Sequence, residues 1–260
     1  MSDVAAAVAR RTDDVVRGLR GLDAWSLTAP SLLPDWSRLT IACHLRYGAT
    51  ALVRMTSDAL EGRTTCYYPA GRSGQRPGTL VPGPGESAAA VVEAFAGASE
   101  ELQRAWSSLA DEAWTIDVLE PTENPDLGTR SLFELAVLRL TEVEVHGTDL
   151  DIGLEDWSDE FVSVALPIRM DRLRTRHVRD SLTVCWHFDV ADGPSYSVRV
   201  DGSGVDVRER ARDGDADASW KITSRDLLAL LLGRPLIGAP HLETSRPELF
   251  ESFSRAFPGP

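Results

Sequence analysis

The sequence predicts an α+β chain: a helical bundle over residues 1–179, then a small α/β sandwich-like domain over 180–260. Three observations carry this. Apolar residues recur at helical spacing in several long segments before residue 177, short alternating segments separated by Asp-Gly pairs follow residue 180, and one mid-chain helix is apolar on both flanks. At 260 residues the chain is long enough for two modest domains, each with a core. No internal repeat is evident.

Residues 3–21 place Val4, Ala7, Val8, Val15, Val16 and Leu19 on one face of a first amphipathic helix. Residues 22–36, punctuated by Pro30 and Pro34, read as a loop. Ser37 is the N-cap expected for a second helix running to Leu60, with Gly62 as its stop. His44 lies on this helix in the row Ile41, His44, Gly48, Ala51, Met55, where small residues beyond the histidine leave room for an approaching group. Residues 63–85 are rich in Gly, Pro, Arg and Tyr, carry no helical period, and read as a long loop of the kind that serves function. A third helix is expected over 86–109, a second loop over 116–130 with Pro121, Pro125 and Gly128, a helix over 131–151, and another from an N-cap at Ser158 to Arg176.

Beyond a boundary near 178–182, segments 181–190, 196–200, 205–209 and 219–223 read as strands. Asp192-Gly193, Asp201-Gly202 and Asp213-Gly214 supply turns between them. An apolar helix holding Leu227, Leu228, Leu230, Leu231 and Leu232 closes at Gly233 and Pro235.

Net charge is −13, which argues against a broad electrostatic grip on nucleic acid or an anionic membrane surface. The start, Met1-Ser2-Asp3-Val4-Ala5, has no secretory-signal pattern, and no run reaches the roughly eighteen apolar residues of a membrane helix. Cys43, Cys66 and Cys185 are widely spaced with no C-x-x-C, so they read as free thiols in a reducing cytoplasm. Cys43 points about 100° away from its neighbour His44 on a helix, no cysteine has an evident activating base, and none is expected to be a nucleophile. Monomer and small homo-oligomer are both compatible with the sequence.

The stretch richest in chemistry is residues 139–150. Helical spacing separates Glu142 from His146 by one turn and only about 40° around the axis, with Arg139 and Asp149 extending the row. A second polar row, Thr141, Glu144, Thr148 and Asp151, falls on the opposite side, between flanks of Val137, Leu138, Leu140, Val143, Val145 and Leu150. A helix so flanked is largely buried, so at least one polar row faces protein, and the histidine row is the better candidate. A buried carboxylate beside an imidazole needs an offsetting partner, for which a metal ion qualifies. A His-Glu ion pair on a solvated face is the alternative reading. Glu144 lies about 200° from Glu142 and cannot share a metal with His146. Of the other histidines, His177 reads as solvated, His187 as packed or exposed in a strand, and His241 as a loop residue.

Taken in order, Leu33-Pro34-Asp35-Trp36, Ala42-Cys43-His44-Leu45, Arg139-x-x-Glu142-Val-Glu-Val-His146-x-x-Asp149-Leu150, Trp220-Lys-Ile-Thr223 and Leu231-Leu-Gly-Arg234 resemble the mycothiol-dependent maleylpyruvate isomerase family. That resemblance implies a DinB-like four-helix bundle and a sterol-carrier-like second domain. It further implies a divalent metal, usually zinc, on His44, Glu142 and His146. Two imidazoles and one carboxylate suit Zn²⁺ and leave a coordination site open, while nickel or iron could take the same set. Arg139 and Asp149 then orient the ligands. The family's functional arginine in its second domain matches Arg234, to be weighed against a solvated residue past a helix stop. The implied cosubstrate is mycothiol or a similar low-molecular-weight thiol, activated as thiolate for attack on a small electrophile. Three functions remain open: isomerisation of an unsaturated keto acid, S-transfer with mycothiol or ergothioneine in detoxification or natural-product biosynthesis, and a non-catalytic metal-binding module. Arg72, Arg76, Tyr67 and Tyr68 on the long loop are candidates to cover the site.

Overall fold

A computed structural model describes residues 2–63, 66–119, 129–176, 183–209, 216–236, 238, 241–243 and 248–259. The chain forms two compact units, Met1–Phe161 and Val162–Pro260. The expected boundary at 178–182, the solvated His177 and the Asp213-Gly214 turn lie outside the described residues.

The first unit is a four-helix bundle. Helices α1 (Ser2–Arg20), α3 (Arg38–Leu60), α5 (Ala88–Ser107) and α6 (Leu132–Asp149) pack as α1 on α5 and α6, and α3 on α5 and α6. Each start is explained locally. Ser37 accepts a hydrogen bond from the Thr40 N–H at the head of α3, and Ser87 does the same with Ala90 for α5. Ser131 and Glu134 cap α6 reciprocally as a capping box. Gly62, past the end of α3, takes φ +69°, a left-handed conformation that favours glycine. The bundle core is apolar, with Leu19, Ile41, Leu45, Met55, Phe95, Leu140 and Val143 essentially inaccessible to solvent.

Two segments expected as loops contain short helices. Residues 22–36 include α2 (Ala24–Thr28), capped by Asp23, and residues 63–85 include α4 (Arg72–Thr79). The α4 sequence holds two glycines and Pro77, has no side-chain cap and buries none of its residues, so no apolar period existed to mark it. The expected loop over 116–130 includes the antiparallel strands β1 (Asp117–Leu119) and β2 (Thr129–Ser131); its Pro121, Pro125 and Gly128 lie outside the described residues.

Helix α7 (Asp159–Arg172) starts after Ser158, whose hydroxyl accepts from the Phe161 N–H. The second unit carries a five-stranded sheet in the order β5-β4-β3-β6-β7. Its strands are β3 (Val184–Val190), β4 (Tyr196–Asp201), β5 (Gly204–Glu209), β6 (Ala218–Ile222) and β7 (His241–Glu243), and only the β3–β6 pair is parallel. Helix α8 (Ser224–Leu231) buries Leu227, Leu228 and Leu231. Helix α9 (Glu248–Ala256) sets Phe253 against Trp186, Phe188 and Trp220 of the sheet, with ring centroids 5.2, 5.0 and 6.1 Å apart. Neither β7 nor α9 was expected. The signal for α9 was present, because Leu249, Phe253 and Phe257 recur every four residues and all are buried. No helix among the described residues is long and apolar enough to cross a membrane.

Candidate metal centre

Helices α3 and α6 bring His44 to Glu142 and His146. Glu142 Oε2 lies 2.6 Å from His44 Nε2 and 3.5 Å from His146 Nε2. One ligand atom from each residue falls within 4.8 Å of the other two. The two imidazoles meet edge to face, centroids 5.1 Å apart and planes at 88°, so both Nε2 atoms converge on one carboxylate oxygen. The expected trio is thus a single cluster. As a donor set, two imidazole nitrogens and a carboxylate oxygen converging in this way fit a divalent ion such as Zn²⁺.

Neighbouring groups orient part of the cluster. His146 Nδ1 lies 2.9 Å from Asp149 Oδ2, one turn further along α6, which holds the ring's orientation and keeps Nε2 toward Glu142. Arg139, only 1% exposed, donates from Nη1 to the Leu45 carbonyl at 2.9 Å and lies over the Phe95 ring at 5.8 Å. That bond joins α6 to α3 one residue from His44 and one turn from Glu142. A surface ion pair for Arg139 is excluded by its burial. Contacts from the long segment complete this layer. An added Cβ at Gly48 would meet Tyr67 Oη at 2.7 Å and Arg139 Nη1 at 3.0 Å, so the space expected beside His44 is filled by the protein's own side chains.

Trp36, which ends the Leu33-Pro34-Asp35-Trp36 motif, packs against both histidines. Its ring stacks on His146 (centroids 6.0 Å, planes 13° apart) and meets His44 edge-on at 5.5 Å. The loop that presents it is closed by Ser31 N–H to Trp36 O and Trp36 N–H to Leu33 O, with Asp35 at φ +65°. Leu32 N–H to Asp149 O and Arg38 Nε to Leu150 O then dock the loop on the end of α6. The signal was the invitation to a tight turn in Leu33-Pro34-Asp35-Trp36, directly before the histidine helix. Arg76 of α4 lies over the Trp36 ring at 5.5 Å. Tyr47 of α3 donates to the Tyr67 carbonyl and stacks on Tyr68 at 5.2 Å, while Arg54 donates to the Cys66 and Tyr67 carbonyls. Arg76 and Tyr67 therefore reach the site neighbourhood; Arg72 shows no contact with the cluster among the described residues.

Electrostatics follow the geometry. Burial works to raise the Glu142 carboxyl, but the His44 imidazole and the hydrogen bonds from both histidines outweigh it and hold the group well below the ordinary carboxylate range. Burial likewise opposes a charge on His146, yet Asp149 and Glu142 together raise it to about 9. Burial pushes the Tyr67 hydroxyl up, with the Glu142 charge adding to the shift. Burial also lifts the Cys43 thiol to about 11, consistent with a packed residue beside the site rather than a nucleophile.

Elsewhere, Glu144 is almost fully buried and takes Arg11 Nε at 3.0 Å and the Ser158 hydroxyl at 2.5 Å. His187 is packed against Ser197 between β3 and β4, and His241 is exposed on β7. Arg234 follows α8, its backbone N–H bonded to the Ala229 carbonyl.

The family model of the mycothiol maleylpyruvate isomerase N-terminal domain matches residues 6–151, which include all three cluster residues. No curated protein matches the sequence. Two solved structures share the fold: the mycothiol-dependent maleylpyruvate isomerase (18% identity, TM-score 0.67) and a histidine-to-alanine mutant described by the same name (17%, TM-score 0.69). Each match covers 93% of this chain and 92% of the other.

Proposed function

We propose that this chain, which belongs to the mycothiol maleylpyruvate isomerase family, is a thiol-dependent enzyme that holds a divalent metal on His44, Glu142 and His146. The observation that carries the reading is the convergence of two Nε2 atoms on one Glu142 oxygen, inside the segment the family model matches. When bound, the metal, with zinc as the first choice, supplies Lewis acidity that lowers the pKa of a low-molecular-weight thiol, mycothiol or a close analogue.

The chain's own residues do the rest. Asp149 anchors the His146 ring, and Arg139 acts as a positioning residue by pinning α6 to α3 beside the ligands. Trp36 shields one face of His146 and limits water there. For maleylpyruvate-like substrates, the thiol sulfur forms a bond to one alkene carbon while the π electrons move onto the conjugated carbonyl as an enolate. Rotation about the resulting single bond, then return of the electrons with loss of the same sulfur, gives the trans alkene and regenerates the thiol. Two carboxylates and an enolate call for guanidinium groups. Arg76, over Trp36, is one candidate. Arg234 is assigned the same task on its match to the family's second-domain arginine. The domain division at 178–182 and a cytoplasmic setting belong to the same proposal.

Metal-loaded protein incubated with mycothiol and maleylpyruvate tests the reading. Trans product without thiol consumption is the expected result. Stoichiometric thiol loss with an adduct would instead make the protein an S-transferase. A His44→Ala protein that kept its metal and its activity would overturn the assignment of the cluster.

A further inference from the structure

A second polar feature lies in the bundle on the far side of Arg139. A cavity of about 60 Å³ is lined by residues of α1 and α5 together with Arg139 of α6. Four side-chain atoms of its lining are buried with no hydrogen-bond partner among the described residues: Thr12 Oγ1, Ser99 Oγ, and both Nε and Nη2 of Arg139. The third guanidinium nitrogen, Nη1, is the one bonded to Leu45. The two unpartnered nitrogens share one edge of the guanidinium, where the N–H bonds run parallel and match the two oxygens of a carboxylate. A buried cation whose forked edge is left unsatisfied is costly, and Arg139 is 1% exposed.

From this we infer that the cavity is a binding site for a small planar oxyanion of the carboxylate class, formate or acetate in size, gripped by the Nε–Nη2 edge of Arg139. The Thr12 and Ser99 hydroxyls donate to its remaining lone pairs. The volume is several times the roughly 10–15 Å³ that one water needs, enough for an ion of formate or acetate size. Asp13 and Glu100 also line the cavity, but both are exposed, so water screens their charge, while Arg20 at the same rim is paired with Glu93. The inference needs neither the metal nor the thiol.

The test is thermal unfolding of the full metal-free chain, titrated with sodium formate against sodium sulfate at matched ionic strength. A saturable rise in Tm with formate, against an unsaturating rise with sulfate that acts only by exclusion from the protein surface, is the expected result. Thr12→Val and Ser99→Ala each remove one hydroxyl and leave the charge untouched, so each weakens formate by about tenfold. Arg139→Lys keeps the charge but loses the fork and abolishes saturation; should it fail to fold, the two hydroxyl variants decide. A formate response that does not saturate, or formate affinity unaltered in both hydroxyl variants, would overturn the site. A crystal structure from formate with only water along that arginine edge would do the same.

Discussion

Glu142 and Glu144 stand two residues apart on the same helix and are both drawn into protein, but they meet opposite fates. The Glu144 side chain is 1% exposed and saturated: Arg11 neutralises it, and Ser158 binds it through both its hydroxyl and its backbone N–H. The Glu142 side chain is 31% exposed and faces two imidazoles. Its attraction to them holds it ionised, while the layer behind the rings, Asp149 and Arg139, is directed at geometry rather than at quenching its charge. One carboxylate closes an ion pair that joins α6 to α1 and to the start of α7; the other is left able to take a cation. The difference teaches that burial alone does not mark a ligand. What marks it is which partners consume its lone pairs.

Substitution separates the two roles. Glu142→Ala should lower zinc affinity by at least about a hundredfold, since a ligand is lost outright and even supporting groups around metal sites are worth 10–100-fold, and equilibrium dialysis reads this directly. Its metal-free unfolding midpoint should fall less than that of Glu144→Ala, by what the part-exposed carboxylate's pairing with His44 and His146 contributes. Glu144→Ala should do the reverse, retaining zinc binding in the folded fraction but losing up to about 3 kcal/mol of stability, because the largely shielded Arg11 loses its carboxylate and keeps only the Asp156 carbonyl. Urea unfolding reads that loss. A Glu144→Ala protein as stable as the parent would erase the distinction.

Much of this contrast was legible in the sequence. Spacing alone put Glu142 and His146 on one face and Glu144 on another, and Ser37, Ser131 and Ser158 marked helix starts that the structure bears out. What spacing could not supply was the long-range partner of each row. Both rows turn inward, and nothing local says that Arg11, about 130 residues upstream, answers Glu144. Trp36 was visible as a motif, but its stacking on His146 depends on a loop docked to the end of α6. Helix α4 escaped notice because a short, exposed, glycine-containing helix leaves no apolar period, whereas α9 escaped with its period in plain view.

A subtler break of the comparison is Asp149→Asn. The amide still reaches His146 Nδ1 but carries no charge, so the ring is held less firmly and its Nε2 is a poorer donor. Zinc affinity should fall by about 10–100-fold, less than for loss of a ligand. The equivalent loss on the closed side, Ser158→Ala, removes the hydroxyl's hydrogen bond to Glu144, keeps the backbone one, and should leave zinc affinity unaltered. Competition with a chromogenic chelator measures both variants in one assay.

The last way to break the comparison is pH dependence, and only the open row should show it. In the metal-free protein His146 is raised from 6.5 to about 9, so its charged form is favoured by folding. The stability this contributes is fully present below pH 6.5 and is lost as pH rises through about 9. Metal-free protein should therefore unfold at progressively lower urea concentration between these values, with His146→Ala flattening that slope. Zinc must displace the same proton, so its affinity should climb over the same interval, and zinc-loaded protein should lose the alkaline decline. A metal-free stability profile that is flat from pH 6.5 to 9 would show that Asp149 and Glu142 do not hold a proton on His146, and the contrast between the two rows would then rest on ligand geometry alone.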